Sequence, residues 1–270
     1  MRFETECPAK INTFLAVGPP DLRGYHPIRT VFQSISLTDS LVVEESSDDE
    51  LEVIGGEIPE DNTLTKALRF VRELAVVPPL AITLTKRIPM QSGLGGGSSD
   101  AAGLLRILQR IMPAPLPAPQ LTDIALAVGA DVPYFLVGGR ARGEGYGEVL
   151  HALPDLPQRW VVVAKPNTNC STKEMFASLD AACREFLSLE EDRIYNDFER
   201  VAPCESLDLI ELLASAGARG AGLTGSGSAV FGFFDEPDTA RRAADKLSTE
   251  FVAVRTTLPR VECLQVNETA

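Results

Sequence analysis

The chain has 270 residues, with 25 Lys and Arg against 38 Asp and Glu; the net charge of −13 disfavours broad attraction to nucleic acid or anionic lipid. No run of about 18 apolar residues could span a bilayer, and Met1-Arg-Phe-Glu-Thr-Glu-Cys7 lacks the basic flank and apolar core of a signal peptide, so a cytoplasmic protein is expected. Five scattered cysteines (Cys7, Cys170, Cys183, Cys204, Cys263) form no CxxC pair and read as reduced thiols, and two histidines are too few for a histidine-built metal site.

Residues 2–54 read mostly as strands, with alternation over 11–15 and 30–37 and a short apolar run at 41–45. The acidic patch 44–50 predicts a solvated hairpin or loop, because like charges repel. Asp61-Asn-Thr63 can cap a helix over 61–74 that lines Leu64, Ala67, Leu68, Val71 and Leu74 on one face before Pro78-Pro79. An alternating strand over 80–86 leads into a glycine-rich stretch. The helix that follows carries Ala101, Leu104, Leu105, Leu108 and Met112 on one face. Prolines 113, 115, 117 and 119 end it in a connector; a helix over 120–128 then runs into Gly129-Ala-Asp-Val-Pro133, with a strand pair beyond Gly138.

The Pro/Asp/Leu segment at 153–158 is the candidate linker, dividing the chain into 1–152 and 153–270. A buried strand starts the second part at Trp160, and Ser171-Thr-Lys-Glu174 has capping-box spacing at the head of a helix. A helix over 207–216, a strand or turn at 220–224, a strand at 229–234, a helix over 239–247 and a strand from Phe251 complete an α/β or α+β pattern without internal repeats.

Gly95-Gly-Gly97 sits between a strand and a helix beginning near Ser98, so consecutive amides and the helix dipole can meet an anion; Ser98 and Ser99 can add hydroxyls. The stretch is neither a Walker A loop, since it lacks the internal lysine, nor GxGxxG. Positive charge for a polyphosphate must come from elsewhere, with Lys10 and Lys86 as the available candidates. Asp131 lies in an apolar stretch where an unpaired carboxylate is costly, so it needs a partner. A turn aspartate bonded to backbone and a general base beside Lys10 are both open on this basis.

Pro8-Ala-Lys-Ile-Asn12, Gly24-Tyr-His26, Gly93-Leu-Gly-Gly-Gly-Ser-Ser-Asp-Ala-Ala102, Gly129-Ala-Asp-Val-Pro133 and Leu223-Thr-Gly-Ser-Gly-Ser-Ala-Val-Phe231 together resemble the ordered signatures of the GHMP-type small-molecule kinases. The resemblance covers nearly the whole chain. It implies a two-domain GHMP kinase fold, α+β or α/β: an N-terminal domain like the second domain of ribosomal protein S5 and a ferredoxin-like C-terminal domain. The implied activity is phosphorylation by ATP, with Mg²⁺, of the 2-hydroxyl of a cytidyl-diphosphate polyol on the non-mevalonate route to isoprenoid precursors.

Carried over by motif, the catalytic pair is Lys10 and Asp131. The ATP side is Asn62, Lys86, Gly93, Leu94, Gly95, Gly96, Gly97, Ser98 and Ser99, and the acceptor side is Asn12, Tyr25, His26 and Asp131. Tyr25 and His26 would stack on and hydrogen-bond a cytosine, although without the resemblance packing is the favoured reading of both; a helix cap explains Asn62 almost as well. Thr224-Gly-Ser-Gly227 would brace the phosphate loop. Arg23, Pro27 and Ser92 depart from the common pattern. Another acceptor alcohol, such as homoserine or mevalonate, and a catalytically silent paralogue are the competing readings. No motif indicates a protein partner or the metal ligands.

Overall fold

The computed structural model describes residues 1–182 and 185–269, so Cys183 lies outside the described residues, and Cys7, Cys170, Cys204 and Cys263 are free thiols. In chain order the first part contains β1 (Arg2–Val17), β2 (Ile28–Glu45), β3 (Glu50–Ile54), α1 (Thr63–Arg72), β4 (Leu80–Thr85), α2 (Gly96–Ile111), α3 (Ala118–Val128), α4 (Val132–Val137), β5 (Arg140–Glu144) and β6 (Val149–Ala152). The second contains β7 (Trp160–Lys165), α5 (Thr172–Asp180), β8 (Tyr195–Asn196), α6 (Cys204–Ser215), β9 (Gly220–Leu223), β10 (Val230–Phe234), α7 (Pro237–Ala244), β11 (Phe251–Thr256), α8 (Arg260–Cys263) and β12 (Asn267–Thr269).

β1 and β2 form one antiparallel ribbon from Arg2↔Glu44 to Val17↔Ile28. The sequence shows this ribbon only in fragments. Bulges at Pro8/Ala9 and Asn12/Phe14 shift the register, and residues 7–12 are buried on both faces, so alternation disappears where the strand is most central. The sheet runs β12-β1-β2-β4-β3, with β5 joining β2, β6 joining β5 and β8 joining β1. Between the ends of β2 and β3 only residues 46–49 of the acidic patch form the turn, and Asp49 there accepts from Arg72 and from Leu80 N–H. Leu64, Ala67 and Val71 of α1 pack with Ala101, Leu105 and Leu108 of α2 against Leu41, Val43 and Ile82 of the sheet.

The second sheet is antiparallel in the order β11-β7-β10-β9. Taking β7, β9, β10 and β11 as strands one to four gives 4-1-3-2 with helices in the first and last connections, the split βαβ arrangement of ferredoxin-like domains. Its period of two separates the faces: Val162, Ala164 and Val230 meet Leu209 and Leu213 of α6 and Ala240 and Ala243 of α7. Val161, Val163, Phe231 and Phe233 face the other way, onto Ala9, Ile11, Ile35 and Leu37 of the first sheet. The two sheets therefore share a core. Ser171 precedes α5 at its cap position but makes no side-chain cap bond, so the capping box expected at 171–174 does not form. α8 and β12, unmarked by any periodic pattern, add a strand to the first sheet beside Arg2, Phe3 and Glu4.

Candidate active site

The glycine loop lies where β4 turns into α2. Gly93 and Gly95 have φ of 78° and 76°, in the left-handed region that favours glycine. Gly95 caps α2 without a side-chain bond, leaving first-turn amides uncapped by protein. Packing enforces the same residues: a Cβ on Gly93 would lie 2.2 Å from Thr224 O, and one on Gly95 would lie 2.8 Å from Phe135 Cζ. Gly96 and Gly97 differ from each other. A Cβ on Gly96 would press on Ile88 at 3.1 Å and on Lys86 Nζ at 3.2 Å, whereas exposed Gly97 would meet only Thr63 Oγ1 at 3.5 Å. Thr63 Oγ1 donates to Gly97 O at 2.7 Å and so ties the head of α1 to the loop. Ser98 is half-buried at the cleft, Ser99 sends its hydroxyl to Pro8 O at 2.7 Å, and the Leu94 side chain is in the core while its carbonyl accepts from Lys10 N–H.

Lys10 and Asn12 are two residues apart on β1 and share its face. Lys10 Nζ donates to Asn12 Oδ1 at 2.7 Å and lies 3.8 Å from Asp131 Oδ2. Burial lowers the Lys10 pKa, and Asp131 opposes that shift. Asp131 sits at the cap position of α4 but makes no cap bond, and about a third of its side chain is exposed. The carboxylate is thus available to the cleft. Asn12 is held on several sides: Oδ1 also accepts from Gly225 N–H at 2.9 Å, Nδ2 donates to Thr30 Oγ1 and its backbone N–H to Thr224 Oγ1. With Ala229 N–H donating to Ser92 O, the Thr224–Gly227 turn braces both the strand and the loop.

Lys86 is buried beneath the loop between Asp39 and Asp100, donating to Asp39 Oδ2 and to Asp100 Oδ2, the latter at 2.7 Å. Burial would lower its pKa, but the two carboxylates hold it above the ordinary lysine value. Asp39 was legible as an anomaly. It occupies the inward parity of β2 among Leu37, Leu41 and Val43, where an aspartate demands a partner. Asn62 caps α1, with Oδ1 accepting from Leu64 and Thr65 N–H and Nδ2 donating to Pro59 and Glu60 carbonyls, so the cap uses its whole side chain.

At the other end, Tyr25 is 63% exposed and meets Tyr146 edge-on at 5.9 Å. Arg23 lies over both rings and bonds Asp21 and the Tyr146 hydroxyl. Hydrogen bonds, first from Tyr146, hold the Asp21 carboxyl well below its usual range. His26 Nδ1–H donates to Gly18 O at 3.0 Å, Nε2 lies 3.5 Å from Asp180 Oδ2, and the ring stacks on Phe176 at 4.8 Å. Phe176 has no local signature, since only the fold brings α5 to the 18–27 loop; Tyr146 lies in a stretch whose aromatic partner is distant in sequence. One cleft of about 1470 Å³ runs from Tyr25, His26 and Phe176 past Lys10 and Asp131 to Gly97 and Asn62.

This two-sheet fold, with a glycine loop heading a buried helix and a Lys–Asp pair beside it, is that of the GHMP kinases. Residues 62–139 match the family model for the GHMP kinases N terminal domain and residues 195–253 that for the GHMP kinases C terminal. The chain is 35% identical over 266 residues to the 4-diphosphocytidyl-2-C-methyl-D-erythritol kinase of Solibacter usitatus, covering 90% of this chain and 84% of that one. It is 35% identical over 274 residues to the kinase of the same name from Pelobacter propionicus, covering 94% and 98%. A crystal structure of 4-(cytidine 5'-diphospho)-2C-methyl-D-erythritol kinase superposes with a TM-score of 0.82 at 35% identity, covering 94% of this chain and 98% of that one. Homoserine kinase from Cytophaga hutchinsonii shares the fold alone, with a TM-score of 0.71 at 16% identity over 98% and 97%. The chain belongs to the 4-diphosphocytidyl-2-C-methyl-D-erythritol kinase family.

Proposed function

We propose that the chain transfers the γ-phosphoryl group of ATP to the 2-hydroxyl of 4-diphosphocytidyl-2-C-methyl-D-erythritol, in the non-mevalonate route to isoprenoid precursors. The observation that carries this reading is the continuity of the cleft: an aromatic and imidazole end suited to a base, a Lys–Asp pair in the middle, and a glycine loop suited to polyphosphate. Asp131 accepts the proton of the 2-hydroxyl as that oxygen attacks the γ-phosphorus, and ADP leaves through its β-phosphate oxygen. Lys10 stands beside Asp131 and faces the charge that develops on the phosphoryl group.

Amides of Gly96, Gly97 and Ser98 cradle the phosphates, with Gly97 as the open position, while Gly93 and Leu94 shape the loop through their backbone. Lys86, Ser99 and Asn12 act from beneath, holding the loop and β1, and Asn62 sets the head of α1 on the adenosine side. Tyr25 stacks on the cytosine, Phe176 backs His26, and His26 reads the base edge through Nε2, its other nitrogen being used on Gly18. Among the described residues no three His, Cys, Asp or Glu side chains converge on one point. That donor set suits Mg²⁺ entering as part of the nucleotide substrate, where it neutralises phosphate charge.

A net charge of −13 supports small-molecule ligands over nucleic acid or anionic lipid, and we place the reaction in the cytoplasm. Among the described residues no helix is long and apolar enough to cross a membrane. The test is an acceptor panel with MgATP: cytidyl-diphosphate methylerythritol, its uridyl analogue, mevalonate and homoserine. We expect turnover of the cytidyl compound and roughly 5- to 150-fold poorer kcat/KM for the uridyl one, since mispaired polar groups on a base edge cost about 1–3 kcal/mol. Preference for mevalonate or homoserine would overturn the assignment.

A further inference from the structure

The cluster under the loop contains more negative charge than positive. Lys86 supplies one ammonium to two carboxylates, and its Nζ lies 3.2 Å from where a Gly96 Cβ would stand. With both acids ionised, a net negative charge sits directly beneath a loop proposed to hold polyphosphate. The two acids are not equivalent. Asp39 Oδ1 accepts from the Arg87 and Ile88 N–H groups and Oδ2 from Lys86, so three donors meet its two oxygens. Asp100 receives only Lys86 on Oδ2; its Oδ1 is buried with no partner among the described residues, and the residue lines the cleft.

We propose that nucleotide binding at the glycine loop is coupled to uptake of a proton by the Asp39–Lys86–Asp100 cluster, with Asp100 as the carrier. The inference rests on the loop being the ATP site. An arriving polyphosphate raises the cost of the neighbouring negative charge, and a proton on Asp100 makes the cluster neutral while leaving Lys86 paired to Asp39. By reciprocity, anything that favours the protonated cluster favours nucleotide. Burial already pushes the Asp100 carboxyl up to about 7, against Lys86, which lowers it, and with Asp39, which raises it. One further group interacts with the cluster directly, and a second reaches it only through the first. The Cys7 thiol on β1 is pushed well up by burial and so stays protonated, and the Arg106 guanidinium on α2 is engaged with Phe135 O. Lys10, whose pKa burial lowers, is the rival proton acceptor near the loop.

Calorimetric titration of the whole protein with MgATP, without acceptor, in buffers of different ionisation enthalpy at pH 8 counts the protons. We expect the wild type to take up a proton fraction approaching about one, and Asp100→Asn to lose most of that uptake. Undiminished uptake in Asp100→Asn would assign the proton to Lys10 or another group and overturn the proposal, as would MgATP binding without uptake in the wild type. Failure of the wild type to bind MgATP would instead overturn the loop assignment itself. If Asp100→Asn does not fold, Lys10→Ala, which removes the rival acceptor, decides. Its MgATP affinity should weaken by up to about tenfold per pH unit above pH 7, while affinity for the cytidyl substrate stays flat. A flat MgATP profile would overturn the coupling.

Discussion

Lys10 is a tightly held charge in the cleft: buried, bonded to Asn12, and set 3.8 Å from Asp131, close enough to pair with that carboxylate and too far for a hydrogen bond that would occupy it. This spacing keeps one oxygen of Asp131 free to take a proton. We expect Asp131→Asn to retain the fold and MgATP affinity while kcat falls by roughly 10²–10⁴-fold, the range for a positioned general base. Lys10→Ala should also lose rate, and the double variant should lose less than the product of the two single losses, because the pair acts as a unit. Steady-state kinetics of the four proteins measure this. Activity of Asp131→Asn within threefold of wild type would remove it from the role of base.

At the scale of elements, the loop joins two helix heads, since α2 begins in it and Thr63 ties α1 to Gly97 O. Its two central glycines have different duties. Gly97→Val places a branched side chain over the cleft at a helical position with room for it, so MgATP binding should fall at least tenfold with the melting temperature nearly unchanged. Gly96→Val drives its side chain into Ile88 and Lys86, an overpacking that should cost about 1–3 kcal/mol of stability as well as nucleotide binding. Calorimetry beside thermal melts separates the two, and a Gly97→Val protein with normal MgATP affinity would return this turn to packing alone.

The strand–loop–helix order and the glycine-led, uncapped head of α2 were legible because glycine, serine and an amphipathic face adjoin in sequence. That Gly96 packs downward and Gly97 faces the cleft was not legible, since it depends on Ile88 and Lys86 arriving from the turn after β4. The same holds for Asn12, Ser99 and Asn62, whose types suit a ligand but whose polar atoms are used by Thr30, Pro8 and the head of α1. Phe176 was invisible for the converse reason, being a helix-face aromatic indistinguishable from core. Lys10 and Asp131 were legible only through their motifs, because the ion pair joins strand and helix across the fold.

Across the whole molecule, the division at 152/153 stands as a proposal about chain segments, and the packing joins the two segments through a shared core. Ala9, Ile11 and Leu37 of the first sheet share a core with Val161, Val163 and Phe231 of the second, and β8 and β12 belong to the first sheet. We expect the fragments 1–152 and 153–270 expressed separately to lack cooperative melting, and the intact chain to melt in a single transition. A cooperative transition in either isolated fragment would establish an independent domain. The partners of β1 also have an order in time. β2 follows it closely, but its other edge is closed at the ends by β8 and β12, and the bond from Val17 N–H to Asp197 Oδ2 spans 180 residues. While the ribosome is still making the second half, the strand that carries Lys10 shows newly exposed backbone donors and acceptors along that edge. The nascent chain, rather than the finished kinase, is therefore the form most open to strand-to-strand association with its neighbours.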